Sequence, residues 1–121
     1  MNSRVLTRTT LITGATAVVR EQQIAHRIDV NLPSAVILEG LHSGAQAPLS
    51  LTPGPCLQIV RIAPGCLCCT GNLILRVTLN RLLRTHPQQL YIGLTSTDHL
   101  AAIHTFLSQP DYASWLTMEA L

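Results

Sequence analysis

Three of the four cysteines in this 121-residue chain lie within one short segment. They are Cys66, Cys68 and Cys69, with Gly65 before them and Gly71 after them. Thiolates are ligands for zinc and copper(I), and the two ends of a Cys-x-Cys segment point to the same side of an extended backbone. The spacing therefore predicts that Cys66 and Cys68 bind one soft metal, zinc first. Cys69 joins them if the flanking glycines turn the loop.

The rest of this metal site is left open by the sequence. The fourth ligand is Cys56, His42, His86 or water. Two alternatives to metal binding also stay open: the cysteines are reduced and without a function, one of them packed in the core, or they exchange thiols and a disulfide. A secreted disulfide framework is disfavoured, because such frameworks spread their cysteines through the chain.

Residues 14–21 lie where a phosphate-binding loop would follow the first strand of an α/β chain. Such a loop reads G-x-x-x-x-G-K-[ST], with backbone amides and the lysine around the phosphates and the hydroxyl on magnesium. Gly14 is in place, but Val19 replaces the second glycine, Arg20 the lysine and Glu21 the hydroxyl residue. A β-branched side chain fits this backbone badly, arginine is a longer planar fork, and a carboxylate repels phosphate. We therefore expect a degenerate P-loop that binds no nucleotide and catalyses no reaction.

Short β-prone runs alternate with helical patterns along the chain. The spacing predicts strands over 9–13, 35–38, 57–63 and 90–95, helices over 17–28, 72–84 and 98–107, and a last helical turn over 111–119. Strands separated by helices indicate a parallel α/β sheet in three layers. Residues 40–55 are rich in proline and glycine, and we expect them to form a flexible loop within a single domain of residues 1–121.

Charge and composition limit the classes of partner. The chain contains eight arginines, no lysine and six acids, so its net charge is +2, and aromatic residues are 3% of the total. Nucleic-acid-binding domains carry a denser basic patch with interleaved aromatic residues, so nucleic acid is not expected. No apolar run approaches the roughly 18 residues of a membrane span, and a cytoplasmic protein is expected.

The remaining charged and histidine side chains predict no second site. Arg76, Arg81 and Arg84 share one side of the predicted helix over 72–84 and are interpreted as its solvated face. His99 and His104 are five residues apart, which is not the spacing of a helical zinc pair, so they are interpreted as partly exposed residues.

The cysteine segment and the helix after it resemble a known family. The cysteine loop and the helix after it resemble the Gly-Cys-x-Cys-Cys motif and following helix of the CobW-type metallochaperone GTPases, on residues 65–70, 72–73 and 78–83. The nucleotide-binding domain of that family resembles those of HypB and UreG. Residues 10–14, 98–99 and 107–116 extend the resemblance collinearly over most of the chain. The resemblance implies a P-loop GTPase fold and a role in delivering zinc or cobalt, with the nucleotide state coupled to metal at the cysteine loop.

Several features of that family are missing from this chain. The Walker A lysine position falls on Arg20, and the family's Glu-x-x-Gly falls near 93–96 without its Glu or its Gly. The guanine-reading Asn-Lys-x-Asp cannot exist in a chain without lysine. The chain ends at Leu121, about where the next strand of the family fold is expected. The sequence therefore predicts a non-catalytic pseudo-GTPase, truncated in its C-terminal half, that binds zinc.

An interaction or regulatory module is the alternative function. A shortened parallel sheet leaves an unpaired edge, and natural proteins cover such edges. The expected partner is then a second copy of the chain or a full-length CobW-like relative, and the cysteines are idle. An active GTPase is the least favoured function. Nucleotide binding separates the active GTPase from the others, and a metal titration separates the first two.

Overall fold

The computed structural model describes residues 6–13, 16–29, 31–39, 56–62, 73–94 and 100–119. Strands and helices alternate along these residues, as the sequence predicts. In chain order the elements are β1 (Thr7–Thr13), α1 (Ala17–Arg27), β2 (Ser34–Glu39), β3 (Leu57–Ile62), α2 (Leu73–Leu83), β4 (Gln89–Leu94), α3 (Leu100–Leu107), α4 (Pro110–Ala113) and β5 (Leu116–Glu119). The predicted loop over 40–55 lies outside the described residues.

The five strands form one sheet in the order β3-β2-β4-β1-β5. Every neighbouring pair is parallel, which confirms the predicted parallel α/β class. The last residues of neighbouring strands are register partners, as in Thr13 with Leu94 and Glu39 with Ile62. The carboxyl ends of β1 to β4 therefore lie along one edge of the sheet. In open parallel sheets this is the edge at which ligands bind.

Helices cover both faces of the sheet, because a parallel strand is reached from its neighbour only by a crossover connection. On one face, α1 buries Ile24 and Ile28 against a small cluster from the strands. On the other face, α2, α3 and α4 build the larger cluster, with Leu79, Ile103 and Tyr112 among its members. Strands β2 and β4 are buried along their whole length, which explains their unbroken apolar runs.

The predicted helical turn over 111–119 was wrong in its second half. Helix α4 ends at Ala113, and the next residues form β5, which pairs with β1. The pairing begins where the Thr7 N–H donates to the Trp115 carbonyl oxygen at 2.9 Å. Leu116 and Met118, two residues apart, both pack on the larger cluster. This period of two is the strand pattern, so a further strand begins earlier in the chain than expected.

Helix α2 ends in a turn that positions the start of β4. The N–H groups of Thr85 and His86 donate to the carbonyl oxygens of Leu82 and Leu83 at 3.1 and 3.0 Å. His86 has a φ of 54°, a left-handed conformation that glycine usually supplies at this place. Its imidazole stacks on Trp115 with 5.9 Å between the ring centroids. The stacking offsets part of the backbone strain.

Candidate functional site

Most of the predicted site residues follow, in the sequence, strands that end at the carboxyl edge of the sheet. Cys66, Cys68 and Cys69 lie outside the described residues, and so do His42 and Gly14. The described strands that precede the cysteine segment and His42 in the sequence end at this edge. Ile62, which precedes the cysteine segment, is the register partner of Glu39, which precedes His42. The strand before the cysteine segment and the strand before His42 therefore end side by side.

Two of the other candidate ligands lie at the opposite edge. Cys56 immediately precedes β3, and its carbonyl oxygen accepts from the Ser34 N–H at the start of β2, at 2.7 Å. His86 precedes the start of β4. The six residues of β3 span about 20 Å between the two edges. The structure therefore places both Cys56 and His86 at the edge opposite to the end of β3, and the choice among the four candidate ligands stays a prediction.

Glu39 is an acidic residue at the carboxyl edge that the sequence analysis overlooked. It ends β2, and only 2% of its surface is exposed. A buried acid in an otherwise apolar strand was the available signal, because charged side chains are rarely buried without a partner. Glu39 does have an interaction partner. Within the described ranges no group of three or more His, Cys, Asp or Glu side chains is close enough to hold a metal ion.

The first turn of α1 is built as an ordinary capped helix start. The Thr16 hydroxyl accepts from the Val19 N–H at 3.1 Å, and the Thr16 carbonyl oxygen accepts from the Arg20 N–H at 3.1 Å. In a P-loop the corresponding backbone amides surround the phosphates. Here both donors are engaged inside the turn. Arg20, at the lysine position, is buried rather than extended into solvent.

Glu21, at the magnesium-ligand position, forms an ion pair with Arg61 of β3. Two contacts join the carboxylate to the guanidinium, Nη2 to Oε1 at 3.2 Å and Nη1 to Oε2 at 3.4 Å. The side chains are 9% and 24% exposed, respectively. The pair fastens the start of α1 to the edge strand. Sequence reasoning missed Arg61, although a single cation at alternate spacing with Leu57 and Ile59 indicates a side chain on the α1 face.

Gly93 lies near the expected position of the family's Glu-x-x-Gly. A Cβ added to Gly93 would lie 3.1 Å from Leu38 Cδ2 and 3.8 Å from Ile24 Cδ1. The apolar contact between α1 and the sheet therefore fills the space next to this backbone. A carboxylate side chain at residue 93 would have to displace it.

Outside this edge, the structure confirms some of the predicted surface residues and corrects one. Arg81 is exposed on α2, Arg84 is exposed directly after it, and His104 is exposed on α3. Arg76 is not simply solvated: its guanidinium carbon lies 5.5 Å from the centroid of the Phe106 ring. Arg76 also approaches Asp111 at 3.8 Å. His99 lies outside the described residues.

Comparison with known proteins adds an independent finding. In an alignment of 120 positions that covers 95% of the chain, the chain is 33% identical to the zinc chaperone YeiR of Escherichia coli (strain K12). The chain is similar to a CobW-type zinc chaperone. It spans 36% of that relative's length. No family model matches the chain, and no solved structure matches it.

The similarity to this zinc chaperone extends over almost the whole chain, so residues 14–21 and the cysteine segment both fall in the matched region. A search for membrane spans among the described helices found none of sufficient length and hydrophobicity to cross a bilayer.

Proposed function

We propose that this chain is a CobW-like pseudo-GTPase that takes part in zinc handling by binding zinc through its cysteine loop. The observation that carries the proposal is the 33% identity to a zinc chaperone along 95% of the chain. The chain spans 36% of that relative, so the role proposed here is zinc binding, without the other activities of the longer protein.

Cys66 and Cys68 are the central ligands in this proposal, with Cys69 as the third. His42 is favoured as the fourth, since it follows the strand that is paired with β3 at the same edge. Three thiolates and an imidazole make a ligand set that zinc commonly takes. Because thiolates must be deprotonated to bind, zinc binding should release protons and weaken as the pH falls.

A zinc titration of protein purified without chelator tests the site. We expect one zinc per chain, and loss of this zinc in the variant Cys66→Ser with Cys68→Ser. Cys56→Ser is the matched control, because Cys56 lies at the opposite edge of the sheet, and it should keep the stoichiometry. His42→Ala should weaken the affinity. Unchanged zinc stoichiometry in the double variant would move the site elsewhere.

The absence of GTPase activity is proposed from the same part of the molecule. The Val19 and Arg20 amides are engaged by Thr16, and the Glu21 carboxylate is held by Arg61. These contacts support a turn in which the Val19 and Arg20 amides are not available to a phosphate and residue 21 offers no hydroxyl to magnesium. The test is fluorescence of a labelled GTP analogue in the presence of magnesium, with and without zinc. Binding at low micromolar concentration would contradict the proposal.

An interaction module remains the second candidate, favoured by one observation on α2. Leu73, Ile74 and Val77 are large apolar residues, and their exposed fractions are 62%, 46% and 57%. They occupy the first turns of the helix that follows the cysteine segment. Exposed apolar side chains grouped in this way are typical of a contact surface. This function does not exclude zinc binding.

A further inference from the structure

A polar cavity of about 250 Å³ opens on the α1 face of the sheet. Its walls come from the first half of β1, the start of β4, the end of α1 and the edge strand β5. Arg8, Thr10 and Tyr91 lie on its floor, and Arg27 and Glu119 lie at its sides. The cavity is thus displaced toward the amino-terminal edge of the sheet. None of its described lining residues belongs to residues 14–21 or to the cysteine segment.

Two arginines of this cavity have no counter-ion in the described part of the chain. Arg8 is exposed on β1, and Arg27 is exposed at the last position of α1. The ion pairs found among the described residues join Arg61 to Glu21 and Arg76 to Asp111, so neither cavity arginine takes part in one. Two guanidinium groups therefore stand beside the same small space with their donors available.

A buried hydroxyl group in the cavity wall also lacks a partner. Thr10 is 8% exposed, and its hydroxyl forms no hydrogen bond to any other described residue. Buried hydroxyl groups in proteins are normally hydrogen-bonded, and an orphan of this kind indicates an unseen partner. Because Thr10 lines the cavity, a molecule inside it is the natural acceptor for this hydroxyl.

The remaining wall is held by internal hydrogen bonds. The Gln89 side-chain amide exchanges two bonds with the Asp29 backbone, each at 3.1 Å. The Tyr91 hydroxyl approaches the Arg27 carbonyl oxygen at 3.2 Å and Gln89 Oε1 at 3.4 Å. Asp29 Oδ1 accepts from the Asn31 N–H at 2.9 Å. The cavity is therefore largely preformed, which lowers the cost of ordering it around a ligand.

The cavity lining carries two arginines and two acids, Asp29 and Glu119, so its formal charges balance, and an anion is favoured only beside Tyr91, where the arginines act more strongly. Glu119 is its other acidic neighbour and is exposed on β5. Burial raises the pKa of Tyr91, while Arg8 and then Arg27 lower it more strongly than Glu119 raises it. The two cations thus prevail over the acid at the phenol oxygen. A negatively charged group there would be stabilised by charge-assisted hydrogen bonds.

We propose that this cavity binds a small oxyanion, a phosphate or carboxylate group, with the Arg8 and Arg27 guanidiniums and the Thr10 hydroxyl as donors. The site is independent of the zinc function proposed above, since it uses other residues on another part of the sheet. The cavity is larger than a single anionic group, so the ligand is a small molecule or the anionic end of a larger one.

The test is an NMR titration of the zinc-free and zinc-loaded chain with inorganic phosphate and, separately, with acetate. We expect saturable shifts of the backbone amides of Arg8, Thr10, Tyr91 and Glu119 in both zinc states. A response to phosphate alone identifies a phosphate site, and a response to acetate alone identifies a carboxylate site. Failure of both titrations to shift these amides would overturn the proposal.

Variants separate a built site from weak surface attraction. Arg8→Ala and Arg27→Ala should each weaken binding about tenfold, the loss of one charge-assisted hydrogen bond. Thr10→Val, which keeps the shape, should also weaken it, and Glu119→Gln should strengthen it. Arg84→Ala on the opposite layer removes one exposed charge as the matched control and should leave affinity unchanged. Equal weakening by Arg84→Ala and Arg8→Ala would show non-specific charge attraction and overturn the site.

Discussion

At the scale of single residues, Glu21 shows what the sequence reveals and what it omits. The replacement of a magnesium-binding hydroxyl by a carboxylate is visible in the sequence alone. The group that accommodates the carboxylate is not, because Arg61 lies forty residues away and meets Glu21 only when β3 and α1 come together. Whether such a carboxylate gains an intramolecular ion pair depends on the order of the strands in the sheet. Local sequence patterns do not encode that order.

The ion pair between Glu21 and Arg61 should stabilise the attachment of α1 to β3. Arg61→Ala leaves the Glu21 carboxylate largely buried without its cation, and we expect a loss of about 2 kcal/mol in the free energy of unfolding. The double variant Glu21→Ala with Arg61→Ala should lose less than the sum of the two single variants. Urea denaturation measures all three. Strict additivity would mean that the two side chains do not interact in solution.

Gly93 should be sensitive to a single added methyl group. In Gly93→Ala the new Cβ would lie 3.1 Å from Leu38 Cδ2, so buried side chains must shift, and we expect about 1 kcal/mol of destabilisation. The same substitution made in a Leu38→Ala background should cost less, since the crowded methyl group is gone. Thermal unfolding of the four proteins tests this. An equal cost in both backgrounds would place the strain elsewhere.

At the scale of elements, the apolar runs of β2 and β4 and the period of α2 were sufficient to predict their class. The edge strand β5 was not predicted. Four residues are too few for a clear alternation, and Leu116 and Met118 acquire their strand conformation by pairing with β1. The first residues of the predicted helix over 98–107 and the whole cysteine segment lie outside the described residues, so those predictions stay predictions.

The turn after α2 offers a test at this scale. At His86, φ is 54°, so His86→Gly should relieve backbone strain while losing the stacking on Trp115, and the two effects nearly cancel. His86→Ala loses the stacking and keeps the strain, so it should be less stable than His86→Gly by about 1 kcal/mol. Calorimetric unfolding measures the difference. Both variants should retain zinc, since the proposed zinc site does not use His86.

At the scale of the whole molecule, two surfaces formed by described residues differ in their polarity. The α1 face beside β5 carries Arg8, Thr117 and Glu119, which suit contact with water or a polar ligand. The first turns of α2 carry Leu73, Ile74 and Val77, which do not. The sequence predicted only that a partner covers an unpaired edge of the sheet, whereas the exposed apolar residues of α2 indicate a particular surface for that partner. If the chain pairs with itself or with a relative, α2 is the surface to test.

We expect the wild-type chain to self-associate through α2, and Val77→Asp to abolish the association by placing a charge in the contact. Ala102→Asp, an exposed position on α3, is the matched control and should behave as the wild type. Sedimentation equilibrium over a hundredfold concentration range measures the mass. A 13.1 kDa monomer at every concentration would show that α2 does not mediate self-association.

The position of β1 between β4 and β5 has a consequence for synthesis of the chain on the ribosome. Both strands that pair with β1 are synthesised well after it, as illustrated by the bond from the Thr7 hydroxyl to the Pro87 carbonyl oxygen, 80 residues apart. At about 5–20 residues per second, β1 waits roughly 4–16 seconds for its first neighbour. During that interval both of its edges are open to wrong pairing. Nascent chains should therefore depend on early chaperone contact with the amino-terminal segment.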